Sequence, residues 1–167
     1  EVASGKRFAE YMDEAIFQPL QMKGTGFHLE KREGLAPYYF AEEKSIYEIP
    51  HENYLVFSDA YDSGGAGAIG CVEDYAKFAK TLACGGVSED GYRLLGEDAL
   101  KQLRTCQYEN LQLQSTFTCV QGESYGYGLG VRVRKTPTAW GLSEGEFGWD
   151  GAAGTYLMVD PVRQISI

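Results

Sequence analysis

Thiol and imidazole chemistry in this chain would have to come from Cys71, Cys84, Cys106 and Cys119 together with His28 and His51. No C-x-x-C pair occurs among them, so the spacing of a zinc site is missing and no metal is expected. The cysteines read as small buried or half-buried thiols in a reducing compartment, which favours a cytoplasmic setting, while disulfides stay open. A second feature is Ser63-Gly64-Gly65-Ala66-Gly67-Ala68-Ile69-Gly70, a nearly side-chain-free stretch that leads straight into a helix. Such backbone can cradle phosphate at a helix N-terminus, yet the G-x-x-x-x-G-K-[ST] lysine is absent and no strand leads into the run as a dinucleotide fingerprint requires. Close approach of this backbone to another segment or to a ligand is the remaining reason for so little side chain.

These residues need elements to hold them. Residues Phe8, Tyr11, Met12, Ala15 and Ile16 fall on one face of a helix that Ser4 should cap and that Pro19 should stop near Phe17. From Leu29 to Asp62 steady periodicity is lacking and aromatic residues are frequent, which reads as a covering loop with short extended pieces or as an excursion over a site rim. A helix then places Val72, Tyr75, Ala76, Ala79, Leu82 and Ala83 on one face, with Glu73 and Asp74 in its first turn and Gly85-Gly86 closing it. A shorter helix is predicted at Glu97 to Leu103. From Tyr125 to Arg134 the period becomes two, which predicts a strand whose glycine face lets a helix pack close. Strands follow around Phe147, Thr155 to Val159 and Gln164 to Ile167, with a turn at Asp160-Pro161, so the connections are short and the sheet should be an antiparallel meander.

A length of 167 residues suits one folded domain. With 15 basic against 24 acidic residues the formal charge is −9, which disfavours nucleic acid and anionic membrane surfaces as partners. No apolar run reaches the roughly 18 to 20 residues needed to span a bilayer. Glu1 is not a natural start and Ile167 falls inside a strand, so the chain is expected to be truncated at both ends.

Four stretches together resemble the β-lactamase-related serine hydrolases, which include class C β-lactamases, D-alanyl-D-alanine peptidases, D-aminopeptidases and family VIII-type esterases. They are Ser4-Gly5-Lys6 through Gln18-Pro19-Leu20-Gln21-Met22, Ser63-Gly64-Gly65-Ala66-Gly67 running into Asp74-Tyr75-Ala76-Lys77-Phe78, Tyr125-Gly126-Tyr127-Gly128-Leu129-Gly130, and Phe147-Gly148-Trp149-Asp150-Gly151-Ala152-Ala153-Gly154-Thr155. The resemblance implies an α+β fold of the β-lactamase/transpeptidase type, an antiparallel sheet with packed helices. Residues 1–167 would be a single fragment, the C-terminal part of the catalytic domain.

The family carries Ser-x-x-Lys, Tyr-x-Asn and a Lys-Thr-Gly-like triplet on a strand edge. Ser-x-x-Lys occurs nowhere in the sequence, so the nucleophile is expected upstream of Glu1 and the fragment alone is expected to be inactive. Tyr108-Glu109-Asn110 fits Tyr-x-Asn by letters but sits after the third helix, where it reads as a chance match. The triplet position holds Trp149-Asp150-Gly151, so an indole replaces the usual lysine and a carboxylate the hydroxyl.

By this resemblance the backbone N–H of Ala152 serves the oxyanion hole and Gly151 lets substrate lie along the strand. Trp149 would form an apolar wall, although a core aromatic is its alternative role. Gly65 and Ala66 are expected on the substrate side. Asp150 would oppose a developing oxyanion unless it faces solvent or a substrate amine, and so could select a cationic terminus. The implied reaction is acyl transfer through a serine acyl-enzyme on an ester, amide or D-amino-acid peptide. No cofactor is implied, the partner is a small-molecule or peptide substrate, and the setting is bacterial cytoplasm or envelope. The alternative is a non-catalytic homologue or fragment that only binds peptidoglycan-like or peptide ligands.

Overall fold

A computed structural model describes residues 1–28, 34–50, 60–107, 124–139, 141–151 and 153–167. The chain divides into two compact units, Glu1–Asp74 and Tyr75–Ile167.

The first unit opens with helix α1, Phe8–Met12, which passes into a π-helical turn over Asp13–Phe17. Pro19 has no N–H to continue an α-helical ladder, and the Gln18 N–H reaches back five residues to the Asp13 carbonyl at 2.9 Å. The wider turn shifts the buried face: Phe17, Leu20 and Met22 are buried, whereas Tyr11, expected inside, is exposed. Phe27 packs edge-on against Phe8 and stacks with Phe17, at centroid distances of 5.6 and 6.3 Å. Ser4 does not cap this helix. Its hydroxyl accepts from the Lys6 N–H in a preceding turn, and the helix begins three residues later than that cap would require.

The aperiodic aromatic stretch contains a hairpin of β1, Tyr38–Glu42, and β2, Ser45–Ile49, in antiparallel register with Phe40 opposite Tyr47. Exposed aromatics or aliphatics stand on both of its faces, Tyr39 and Ile46 on one and Phe40 and Tyr47 on the other. Apolar residues on both faces erase the alternation by which a one-sided strand is recognised. Tyr54 and Phe57, part of the same sequence expectation, lie outside the described residues.

Helix α2 spans Val72–Ala83, and α3 spans Glu97–Leu103 as the periodicity predicts. Only the later part of the α2 face is buried: Ala79, Leu82 and Ala83 enter a core with Leu100, Val133, Phe147, Leu157 and Val159, while Val72 and Tyr75 are exposed. Gly85 and Gly86, at φ +75° and +80°, end α2 with the Gly86 N–H on the Thr81 carbonyl at 2.9 Å, a C-terminal cap of the Schellman type.

The second unit holds a five-stranded meander, β3 (Tyr125–Tyr127), β4 (Arg132–Arg134), β5 (Phe147–Asp150), β6 (Tyr156–Asp160) and β7 (Ile165–Ser166), each antiparallel to the next. The single strand expected from Tyr125 to Arg134 is a hairpin instead. Gly130, at φ +80°, and Gly128, whose N–H bonds the Val131 carbonyl at 2.8 Å, turn the chain between β3 and β4. Reversal inverts the phase, so Tyr125 lies opposite Arg134 and Tyr127 opposite Arg132, with Gly126 opposite Val133. The close packing expected at the glycines is present: a Cβ on Gly126 would overlap Cys106, and one on Gly128 would overlap the Leu103 carbonyl at the end of α3.

The thiols of Cys71, Cys84 and Cys106 are free. Cys71 and Cys84 are exposed rather than buried, because they flank α2 instead of facing the core; Cys119 lies outside the described residues. No helix among the described residues is long and apolar enough to cross a membrane.

Candidate active site

Among the described residues, the end of β5 has a strand on one side only. On the β6 side Trp149 stands opposite Leu157 and Asp150 opposite Tyr156, and the Gly151 N–H donates to the Thr155 carbonyl at 2.8 Å. On the β4 side pairing runs through Phe147 and Gly148 and stops there, because β4 begins at Arg132 after the glycine turn. Alternate residues of an antiparallel strand direct their N–H groups to opposite sides. With Gly151 facing β6, the Asp150 N–H faces the side that β4 leaves uncovered.

This geometry assigns the sequence candidates differently. Gly151 commits its amide to the hairpin, and its missing side chain is required because a Cβ would overlap the Thr155 hydroxyl. Ala152, the expected oxyanion donor, lies outside the described residues, as does Tyr108-Glu109-Asn110. Trp149 is half-buried and makes an edge-to-face contact with Tyr127 at 5.5 Å. The two rings form an aromatic border at the strand end.

Asp150 is not a lone carboxylate. Its Oδ1 accepts from Arg132 Nη1 at 2.8 Å, while its side chain keeps 37% exposure. Arg132 is almost fully buried, at 2%. It reaches this position by crossing β5 at Gly148, its register partner, where any side chain would meet the β6 backbone at Leu157. From there Arg132 Nη2 also donates to the Tyr156 hydroxyl at 2.6 Å and to the Leu157 carbonyl at 3.2 Å. Its guanidinium lies 4.6 Å from the Tyr156 ring centroid.

Behind it, the fully buried Glu146 accepts from Arg134 Nε at 3.1 Å and from the Tyr125 hydroxyl at 2.9 Å, with Arg132 Nη2 at 3.5 Å. Arg134 also bonds the Tyr125 hydroxyl and lies over that ring. Burial raises the phenol pKa of Tyr125, and Glu146 pushes it the same way; burial likewise raises that of Tyr156 against the pull of Arg132. Both therefore stay neutral at pH 7, Tyr125 donating to Glu146 and Tyr156 accepting from Arg132. Two cations and two carboxylates make the cluster neutral, which permits such burial. Sequence reasoning missed Arg132 and Glu146. Their signal was Arg132-Val133-Arg134, a strand that alternates charge with apolar and so puts two cations on one face.

The glycine run lies in the first unit. Ser63 is buried, its carbonyl accepts from the Gly67 N–H at 2.9 Å, and its hydroxyl takes the Ala66 N–H at 3.3 Å. Ala66 is thus held in a turn, whereas Gly65 is exposed with open space where a Cβ would stand. Backbone approach, expected from the sequence, is met at Gly67 by Ser63 and at Gly70 by Thr25.

Just before the run, the buried Asp62 binds Arg7 Nη2 at 2.8 Å, the Ala9 N–H at 3.0 Å and His28 Nε2 at 2.6 Å. It caps α1 from a distance, in the role expected of Ser4. The Ala9 hydrogen bond, helped by His28 and Arg7, lowers its pKa against the opposing effect of burial. Asp74 fixes the other end of the run by accepting from the Gly24 N–H at 2.7 Å and the Thr25 hydroxyl at 3.2 Å.

The family model described as Beta-lactamase matches residues 1–167. Among curated proteins, the chain is 26% identical over 161 residues to Protein Rv1367c of Mycobacterium tuberculosis (strain ATCC 25618 / H37Rv), covering 91% of this chain and 40% of that protein. It is 25% identical over 189 residues to the "Putative D-alanyl-D-alanine carboxypeptidase" of Escherichia coli (strain K12), covering 100% of this chain and 40% of that one. Among solved structures, EstCE1, described as a hydrolase with promiscuous acyltransferase activity, superposes with a TM-score of 0.73 at 23% identity, over 98% of this chain and 45% of that one. The chain thus spans less than half the length of each of these relatives.

Proposed function

The chain belongs to the beta-lactamase family of serine hydrolases, and on that premise we propose that it forms one wall of an acyl-enzyme site acting on esters, amides or D-amino-acid peptides. The observation that carries this reading is the edge of β5 beyond Gly148, which no described strand covers and which the half-buried Trp149 borders. A substrate strand or acyl group lying there meets the outward-facing backbone amide of Asp150. Donors so fixed stabilise a tetrahedral oxyanion whatever side chains they carry.

The nucleophilic serine and its lysine come from outside these 167 residues, since Ser-x-x-Lys is absent from them. In the reaction the serine Oγ bonds the substrate carbonyl carbon, the bond to the leaving alcohol or amine breaks, and the serine proton passes to that leaving group. Water then repeats the exchange and frees the acid. The absence of a lysine at Trp149 removes the cation that would hold a substrate carboxylate, so esters and amides without one are favoured over penicillins.

The test is intact-mass analysis after incubation with a chromogenic ester and a fluorescent penicillin. The longer protein that supplies Ser-x-x-Lys should gain one acyl group on that serine, faster from the ester than from the penicillin. The 167-residue chain should gain none. A stable adduct on the chain alone overturns the assignment of the nucleophile, and a longer protein that binds but never acylates establishes the non-catalytic alternative.

A further inference from the structure

We propose that Arg132 is a positioning residue for substrate: it neutralises Asp150 and fixes its carboxylate, so that the β5 edge takes an uncharged hydrogen-bonding group rather than a free ammonium or a carboxylate. This rests on the reading of β5 as the substrate edge and specifies what that edge recognises.

Three observations carry it. Arg132 is nearly fully buried yet sends Nη1 to Asp150 at 2.8 Å, and Asp150 is the more exposed partner at 37%. Arg132 stands opposite Gly148 in the register yet bonds Tyr156 and Leu157 on the far strand, so its side chain spans β5 where the β6 backbone itself leaves no room for a side chain on Gly148. The remaining charges facing Arg132 are Glu146, bound to both arginines, and Arg134, so the cluster of two cations and two anions sums to zero.

The electrostatic consequence differs from that of a lone aspartate. A free carboxylate at the strand end would draw an ammonium and repel a developing oxyanion; one already paired at hydrogen-bond distance does neither strongly. Its geometry is what remains. Oδ1 is held by Arg132 and Tyr156 is tethered through its hydroxyl, which leaves the exposed part of the Asp150 carboxylate as an oriented acceptor for a substrate N–H or O–H.

Three probes of one shape but different charge test this against the 15N-labelled chain: N-acetyl-D-alanine methylamide (neutral), D-alanine methylamide (ammonium) and N-acetyl-D-alanine (carboxylate). Dissociation constants are read from the Trp149 indole and Asp150 amide resonances. In the unaltered chain the neutral probe should bind at least as tightly as either charged one. Arg132→Gln should shift the ratio toward the ammonium probe by about fivefold, the worth of one charge contact in largely aqueous surroundings. Asp150→Asn, which leaves Arg132 bonded to Glu146, Tyr156 and Leu157, should shift it toward the carboxylate probe by a similar factor and decides the matter even if Arg132→Gln fails to fold.

A merely structural arginine would change all three affinities together. An unaltered chain that prefers the ammonium probe, or an Asp150→Asn variant with an unchanged ranking, overturns the proposal while leaving the substrate edge intact. Absence of any shift at Trp149 and Asp150 with all three probes removes the edge reading itself.

Discussion

Gly148 shows how an absent side chain lets two strands approach. Its bare Cα lets the β6 backbone come close at Leu157 and Met158, so Gly148→Ala should cost about 1 to 3 kcal/mol by overpacking, read as a lower urea midpoint. Gly96→Ala is the control: Gly96 has φ −64° and open space around it, so its variant should stay within about 1 kcal/mol. Equal losses in the two would refute the packing argument.

Two other residues make stability depend on pH. Burial raises the pKa of Asp160, but hydrogen bonds from Ser143, Arg163 and Val162 outweigh it and leave the pKa lowered; that of Asp62 is lowered as well, mainly by the Ala9 N–H. A carboxylate with a depressed folded pKa contributes stability above its unfolded value of about 4 and loses it as pH falls through the folded value. The urea midpoint should therefore be flat above about pH 5 and fall below about pH 4. Asp160→Asn should flatten that fall, whereas an unchanged slope would show that Asp160 takes no part in it.

At the level of elements, the sequence was most legible where one face is buried and a cap closes the end. Helix α3, the Gly85-Gly86 cap and the turn at Asp160-Pro161 follow from periodicity and turn chemistry, because local sequence alone determines each. The β3–β4 hairpin was misread as one strand for the opposite reason: tyrosine, glycine, valine and arginine keep alternating through the turn, and only the register reveals that the two halves invert. Helix α1 differs through the π-helical turn before Pro19, which moves Phe17 inward and Tyr11 outward. In the β1–β2 hairpin, apolar residues on both faces erased the signal. The core of the second unit rests on Phe147, fully buried at the start of β5. Phe147→Ala should cost about 3 to 5 kcal/mol and lower the unfolding midpoint, while a loss below about 1 kcal/mol would place the core elsewhere.

At the scale of the molecule, the order of four weak motifs along nearly the whole chain identified the family, where any one of them would have been ambiguous. Trp149, Asp150 and Gly151 were legible as strand-edge residues through that order. The residues around them were not, because Arg132, Glu146 and Tyr156 come together beside Asp150 only through a register that no local pattern encodes. The division of work at the edge was equally hidden: Gly151 turns its amide to the hairpin, and Asp150 turns its own outward. Residue-resolved hydrogen exchange on the 167-residue chain tests this directly. The Gly151 amide, bonded to the Thr155 carbonyl, should exchange slowly and the Asp150 amide at least about tenfold faster, since an amide facing an open edge exchanges without a prior opening step. Equal, strong protection of both amides would mean that the sheet continues past Gly148 and that β5 has no side left for a substrate.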